Sequence, residues 1–192
     1  MVTAEARTSR RLGGLLHRRR SAVGAEDMTV RLEDPEGRLQ HARDVAWTAL
    51  NRRERTVTEM ARLLAAKRVE PSAIETVLAE LCEQGYLDDA SYAQRFAEDR
   101  RRLDAWGAER IERKLLSLGI DRELIAAAIG EQDHTGEMEA ALEILARRFP
   151  EPPQTPRERD RALGVLVRKG YGLELAHDAL RRHAGVRDEL FD

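Results

Sequence analysis

One cysteine, Cys82, stands in a chain of 192 residues, so neither an internal disulfide nor a thiolate cluster for zinc can form. The same scarcity suits a reducing compartment. Aromatic residues make up only 4% of the chain against 42% hydrophobic and 35% charged. That balance excludes a β-sandwich built on aromatic and β-branched strands and favours solvated helices rich in Ala and Leu. No apolar stretch approaches the roughly 20 residues of a membrane span, and the first residues lack the apolar run of a secretory signal; a cytoplasmic location is the expectation. An excess of one charge is missing too: 33 Lys and Arg face 35 Asp and Glu, a formal net charge of -2. Only a local patch could hold a phosphate backbone.

The local sequence forms of catalytic sites are also absent. There is no G-x-x-x-x-G-K-[ST] loop, no G-x-G-x-x-G after a strand, no H-E-x-x-H and no G-x-S-x-G. The histidines are scattered, and the closest pair, His177 and His183, lies six residues apart, about 240° around a helix and unsuited to sharing a metal. Glu98, Asp99, Asp104 and Glu109 sit among arginines and read as solvated ion-pair partners rather than a general acid–base dyad. Cys82 falls four residues after Leu78 and beside Leu81, a position expected to face the core as a small hydrophobe. No enzyme activity, cofactor or metal is expected.

What the chain does contain is a helical apolar pattern that repeats. Met60, Leu63, Leu64, Val69, Ile74, Val77 and Leu78, advanced by 51 residues, fall on Ile111, Lys114, Leu115, Ile120, Ile125, Ala128 and Ile129. A second step of 51 reaches Ala162, Val165, Leu166, Tyr171, Ala176, Ala179 and Leu180. Only Lys114 breaks the match. Boundary chemistry keeps the same phase: Thr56-x-x-Glu59 and Thr155-Pro156-Arg157-Glu158 are capping boxes opening a middle helix. Gly119 and Gly170 sit at equivalent helix ends, where positive φ is common, but the first copy has Arg68 there. Arg68 implies either left-handed strain of about 1 kcal/mol or a different turn.

The expected fold is therefore all-α: three tandem three-helix repeats in an elongated, curved array. The helices are placed near 41–53, 57–67 and 71–84, then 90–103, 108–118 and 122–131, then 137–148, 156–169 and 173–184. The repeats occupy 41–88, 89–133 and 134–185. Such a trio cannot hide its apolar stripe alone, and stacking supplies a long surface suited to another elongated object. Residues 1–40 carry Arg clusters, glycines and the turn-like Asp34-Pro35-Glu36-Gly37 and read as a flexible basic arm; 186–192 form a C-terminal tail.

Three stretches are more particular. Gly85-Tyr86-Leu87-Asp88-Asp89 ends one helix and caps the next. Arg101-x-x-x-Ala105-Trp106-Gly107-Ala108-x-Arg110-Ile111-x-x-x-Leu115 follows, and then Leu118-Gly119-Ile120. Together they resemble the RecX family of bacterial recombination regulators over about 41–184. Family members usually carry glycine at the position of Ala105 and proline at that of Ala108, so the loop before the middle helix is expected to turn less sharply here. Arg161 and Arg168-Lys169-Gly170-Tyr171 extend the match into the third repeat.

The resemblance implies a non-enzymatic protein that binds RecA and lies in the groove of the RecA–single-stranded-DNA filament, restraining recombinase, ATPase and coprotease activities, with direct contact to the DNA allowed and a monomer expected. The candidate contact residues are Arg95, Arg100, Arg101, Arg102, Arg110 and Arg113 in the middle repeat and Arg161, Arg168 and Lys169 in the third, facing acidic side chains or phosphates. Arg100 falls inside an apolar stripe and either snorkels or enters an interface. Trp106 and Tyr86 can stack on a base or pack between repeats. Two other readings stay open: a helix-turn-helix-like DNA-binding protein, and a helical-repeat scaffold for another partner.

Overall fold

The computed structural model describes residues 34–130 and 134–188, and the described residues are helical and connecting segments with no strand. The helices are α1 (Pro35–Leu50), α2 (Val57–Ala66) and α3 (Pro71–Glu83), then α4 (Asp89–Asp104), α5 (Ala108–Ser117) and α6 (Arg122–Gly130), then α7 (His134–Arg148), α8 (Pro156–Lys169) and α9 (Leu173–Asp188). Each trio folds around its own core. The first gathers Ala42, Ala46, Met60, Leu64, Val77 and Leu81. The second gathers Ala93, Ala97, Ile111, Leu115, Ile120 and Ile125, and the third Leu145, Ala162, Leu166, Tyr171, Ala176 and Ala179. These cores reproduce the positions related by 51 residues, and Lys114, the one mismatch, is exposed. Within each trio the first and third helices pair, and the middle helix packs mainly against the third. Small alanines on α1 and α4 allow that close pairing.

The two capping boxes form, with Thr56 accepting from Glu59 N and Thr155 from Glu158 N and each glutamate returning to its cap amide, but they do not share the expected phase, because Glu158 rather than Thr155 is the counterpart of Thr56. Asp88 caps α4 by accepting from Ser91 N. Arg68 resolves the alternative left by the sequence, because it adopts φ 60, the same left-handed region as Gly119 at 82 and Gly170 at 93.

Several expectations are corrected. Asp34-Pro35-Glu36-Gly37 is the start of α1 rather than a turn within a flexible arm: Pro35 occupies the first helical position, and Arg38 N reaches Asp34 O at 3.0 Å. Arg38 also pairs with Glu70 at 2.8 Å, tying that added turn to the α2–α3 connection. The arm before residue 34 lies outside the described residues. The last helix runs to Asp188, past the expected boundary at 185, and the tail from 189 lies outside them. Cys82 is exposed, because the buried face of α3 centres on Ala73, Val77 and Leu81 and one further residue turns about 100° away from it.

Candidate functional site

The repeats join through helix termini. In the first joint, Thr56 Oγ1 donates to Leu118 O at 2.7 Å, Val57 N to Asp89 Oδ1 at 3.0 Å, and Thr58 Oγ1 to Gly119 O at 3.0 Å. In the second, Gly107 N donates to Lys169 O at 2.9 Å, Ala108 N to Glu137 Oε1 at 2.9 Å, and Glu109 N to Gly170 O at 3.1 Å. The three donor residues and the two carbonyl residues of each set are related by 51 residues. The opening of one repeat's middle helix thus receives the closing turn of the next repeat's middle helix and a carboxylate from its first helix. Orphan amides, with their partial positive charge, meet orphan carbonyls. Threonine hydroxyls bridge the first joint. Glycine at 107 lets the backbones of the second touch directly: a Cβ there would stand 2.5 Å from Gly170 C.

Charge at the first joint depends on pH in two opposed ways. The Arg53 guanidinium, hydrogen-bonded at 2.7 Å, and then the Thr56 amide hold the Glu59 carboxyl below its ordinary 4.5. Its contribution is complete above that value and is lost as pH falls through the depressed one. Asp89 shifts the other way: desolvation outweighs its bond from Val57 N, and Asp88 and Glu59 add repulsion. A raised carboxyl opposes folding at neutral pH and is relieved on acidification. Asp89→Asn keeps an acceptor for Val57 N without the charge, so stability at pH 7 should be unchanged or higher, with a smaller gain between pH 7 and pH 4 than in the parent. Urea titrations at the two pH values check this.

Beside each joint lies a cleft. The larger, about 720 Å³ between the second and third repeats, is lined by Arg95, Arg101, Arg102, Trp106, Glu137 and Tyr171 among others. The smaller, about 470 Å³ at the first joint, includes Arg55, Tyr86, Tyr92 and Arg95. They are repeat-related, since Leu50, Arg55 and Tyr86 line one where Arg101, Trp106 and Glu137 line the other. Arg95 borders both. Tyr171 closes the larger cleft with its hydroxyl 3.3 Å from Ala105 O, and burial, followed by the charges of Glu137 and Glu143, pushes its pKa up to about 12. It is therefore a neutral donor at physiological pH.

The structure sorts the candidate residues by what their side chains already do. Arg95 and Arg102 are exposed at the larger cleft and make only surface pairs, with Glu54 at 3.2 Å and Asp99 at 3.3 Å, which are easily exchanged. Arg113 and Arg161 are exposed on α5 and α8, away from that cleft. Arg101, placed opposite the apolar stripe by helical spacing, bends back so that Nη2 donates to Ile129 O at 2.8 Å, satisfying the end of α6. Arg100 lies along the chain's own aromatics: its guanidinium is 5.5 Å from the Phe96 ring and 5.7 Å from the Trp106 ring and pairs with Asp104, with 33% of the side chain exposed. Arg110 covers the other part of Trp106 at 4.1 Å and donates to Arg168 O at 3.1 Å. Arg168 is itself exposed. Lys169 donates to Asp104 O, and its pKa is lowered by desolvation and then by Arg147. Arg100, Arg110 and Lys169 thus serve the second joint and its aromatic support.

Trp106 packs at the junction and Tyr86, 54% exposed, rests edge-on against Trp47 with centroids 4.5 Å apart. Thr56 and Asp89 carry a sequence signal only as helix-capping residues, and Thr58 and Glu137 carry none as joint residues, although the 51-residue offset that aligns the cores also aligns the joint donors. Cys82 offers no activated nucleophile: partial desolvation of its sulfur, with Asp89 and Asp88 nearby, pushes the thiol above its ordinary value. Among the described residues no His, Cys, Asp and Glu group of three or more could hold a metal ion, and no helix is long and apolar enough to cross a membrane.

Comparison with known proteins covers the same region. Residues 42–81 match the family model described as RecX, first three-helix domain, and 88–129 match RecX, second three-helix domain. A regulatory protein RecX from Stenotrophomonas maltophilia is 34% identical over 157 residues, 77% of this chain and 91% of the relative. One from Leptothrix cholodnii is 34% identical over 129 residues, covering 67% and 80% respectively. The crystal structure of RecX from Lactobacillus salivarius superposes with a TM-score of 0.68 at 18% identity, over 76% of this chain and 96% of that one, a likeness of fold.

Proposed function

The chain belongs to the RecX family, and on that premise we propose that it restrains RecA by lying along the RecA–single-stranded-DNA filament. The supporting observation is the cleft between the second and third repeats, where Arg95 and Arg102 stand exposed beside Trp106. Their surface carboxylate partners are held weakly enough to be exchanged for acidic side chains of a filament or for phosphates. A chain of net charge -2 gains little from long-range attraction to DNA. Its affinity arises instead from several modest contacts made along one linked body, each later contact being intramolecular. Occupancy of the groove excludes a second duplex and limits the protomer movements that accompany nucleotide turnover. The action requires no catalytic group.

The test is RecA ATP hydrolysis on single-stranded DNA, with the chain titrated to saturation. Hydrolysis falls with the parent chain. For Arg95→Glu/Arg102→Glu the half-inhibitory concentration should rise at least about tenfold, the equivalent of 1.4 kcal/mol, with unchanged helicity. No inhibition by the parent at saturation overturns the proposal. Tight binding to bare DNA without RecA, with a steep salt dependence, would assign the cleft to DNA instead.

A further inference from the structure

The joint described above is directional, with a helix opening on one repeat and a closing turn on the next. A contact of that kind is not self-complementary, and repeated between molecules it builds a ring or an open filament. Among the described residues there are two mated joints and one unmated half at each end. At one end is the turn Lys67–Arg68, the counterpart of Leu118–Gly119 and Lys169–Gly170. It has the same shape: Val69 N reaches Leu64 O at 3.1 Å as Ile120 N reaches Leu115 O at 3.3 Å and Tyr171 N reaches Leu166 O at 3.2 Å. Lys67 and Arg68 are exposed. At the other end is the opening of α8, the counterpart of the openings of α2 and α5.

Both unmated halves differ from the mated ones, and each difference fills the space a neighbour would need. In the mated turns the left-handed residue is glycine for want of room. A Cβ on Gly119 would lie 2.5 Å from Thr58 Cβ, and one on Gly170 would lie 2.5 Å from Arg110 N. The unmated turn carries Arg68 in the same left-handed conformation, a strained choice for a non-glycine residue that brings a Cβ and a long side chain to the docking surface. At the other end, the counterparts of Gly107, Ala108 and Glu109 are Glu158, Arg159 and Asp160. They are already inside the helix, because α8 begins at Pro156 and carries an extra turn closed by the Thr155–Glu158 capping box. The amides that would receive a neighbour's carbonyls are thereby enclosed.

We propose that Arg68 and the extra α8 turn Pro156–Glu158 are stops that keep a second copy of this chain from docking end to end through the joint its own repeats use. The partner that fits each end is another molecule of the same protein, and the array is held at its encoded length.

Two complementary variants of the full chain test this. Arg68→Gly opens the turn. Pro156→Ala/Arg157→Trp/Glu158→Gly places the Ala105-Trp106-Gly107 sequence at the α8 opening and removes the glutamate of the capping box. Sedimentation equilibrium should show each variant alone, and the parent, as monomers. An equimolar mixture should form one-to-one pairs with a dissociation constant on the order of 1 mM or lower, and the combined variant should form longer, concentration-dependent assemblies. Folded variants that remain monomeric in mixture at about 1 mM overturn the proposal, as does end-to-end association of the parent. Should the α8 variant fail to fold, Gly119→Arg decides: it installs the stop in a mated joint, and amide exchange at Val57 should accelerate at least about tenfold while exchange at Ile111 is unchanged. Unaltered exchange at Val57 shows that arginine is no obstacle and overturns the proposal.

Discussion

Gly107→Ala should lower the unfolding free energy by about 2–3 kcal/mol, a large loss for one methyl group, because Gly107 is buried in the second joint. Gly107 has φ -78, an ordinary conformation for alanine, so no backbone preference is violated. The loss comes from overpacking: the added Cβ would meet Gly170 C at 2.5 Å and Tyr171 N at 2.6 Å. These are backbone atoms that can give way only by separating the repeats, and forced insertions of this kind cost about 1–3 kcal/mol. The hydrogen bonds from Gly107 N and Glu109 N would lengthen with them. Gly185→Ala is the matched control, since it lies within α9 with nothing within 4 Å of its Cβ position and alanine inside a helix is worth about 0.5–1 kcal/mol over glycine. Chemical denaturation of the two variants should give shifts of opposite sign.

Trp106→Ala should cost about 3 kcal/mol, within the range for removing a large aromatic from a packed site. Its ring is the common neighbour of Phe96, Arg100 and Arg110. Without it Arg100, whose Nε is already buried without a hydrogen-bond partner, faces a void, and Arg110 loses the surface that aims it at Arg168 O. Trp106→Phe should retain more than half of that stability by keeping an aromatic face for Arg110. The effect on RecA separates support from contact: Trp106→Ala should raise the half-inhibitory concentration even at temperatures where it is fully folded, because it removes a wall of the cleft that Arg95 and Arg102 border. Inhibition equal to the parent under those conditions would confine Trp106 to a structural role.

The repeat was legible because each trio buries the same positions, and burial writes a periodic apolar signal into the chain. Even the Thr56 and Thr155 caps announce themselves, since their spacing to Glu59 and Glu158 is short and local. Position 82 misled because Leu81 lies in the buried stripe of α3 with Leu78 beside it, and one helical step decides between core and solvent. The intramolecular contacts of Arg100 and Lys169 left no sequence signal. A charged side chain that folds onto a ring or a carbonyl looks the same in sequence as any other, and only its tertiary neighbours reveal the contact. The start of α1 at Pro35 was hidden by a proline–glycine pair that reads equally as a turn or a helix opening, and the ion pair of Arg38 with Glu70, distant in sequence, favours the helix.

The seams between repeats are made largely from hydrogen bonds, whereas each trio encloses its own oil. At the first seam solvent can compete for a carbonyl without opening a core, whereas at the second Ala105 and the buried Tyr171 carry the third core across it, so the first excursion from the native state should be a bend at Gly119 rather than melting. The molecule is thus built to articulate like a short jointed rod, conforming to a winding track one link at a time.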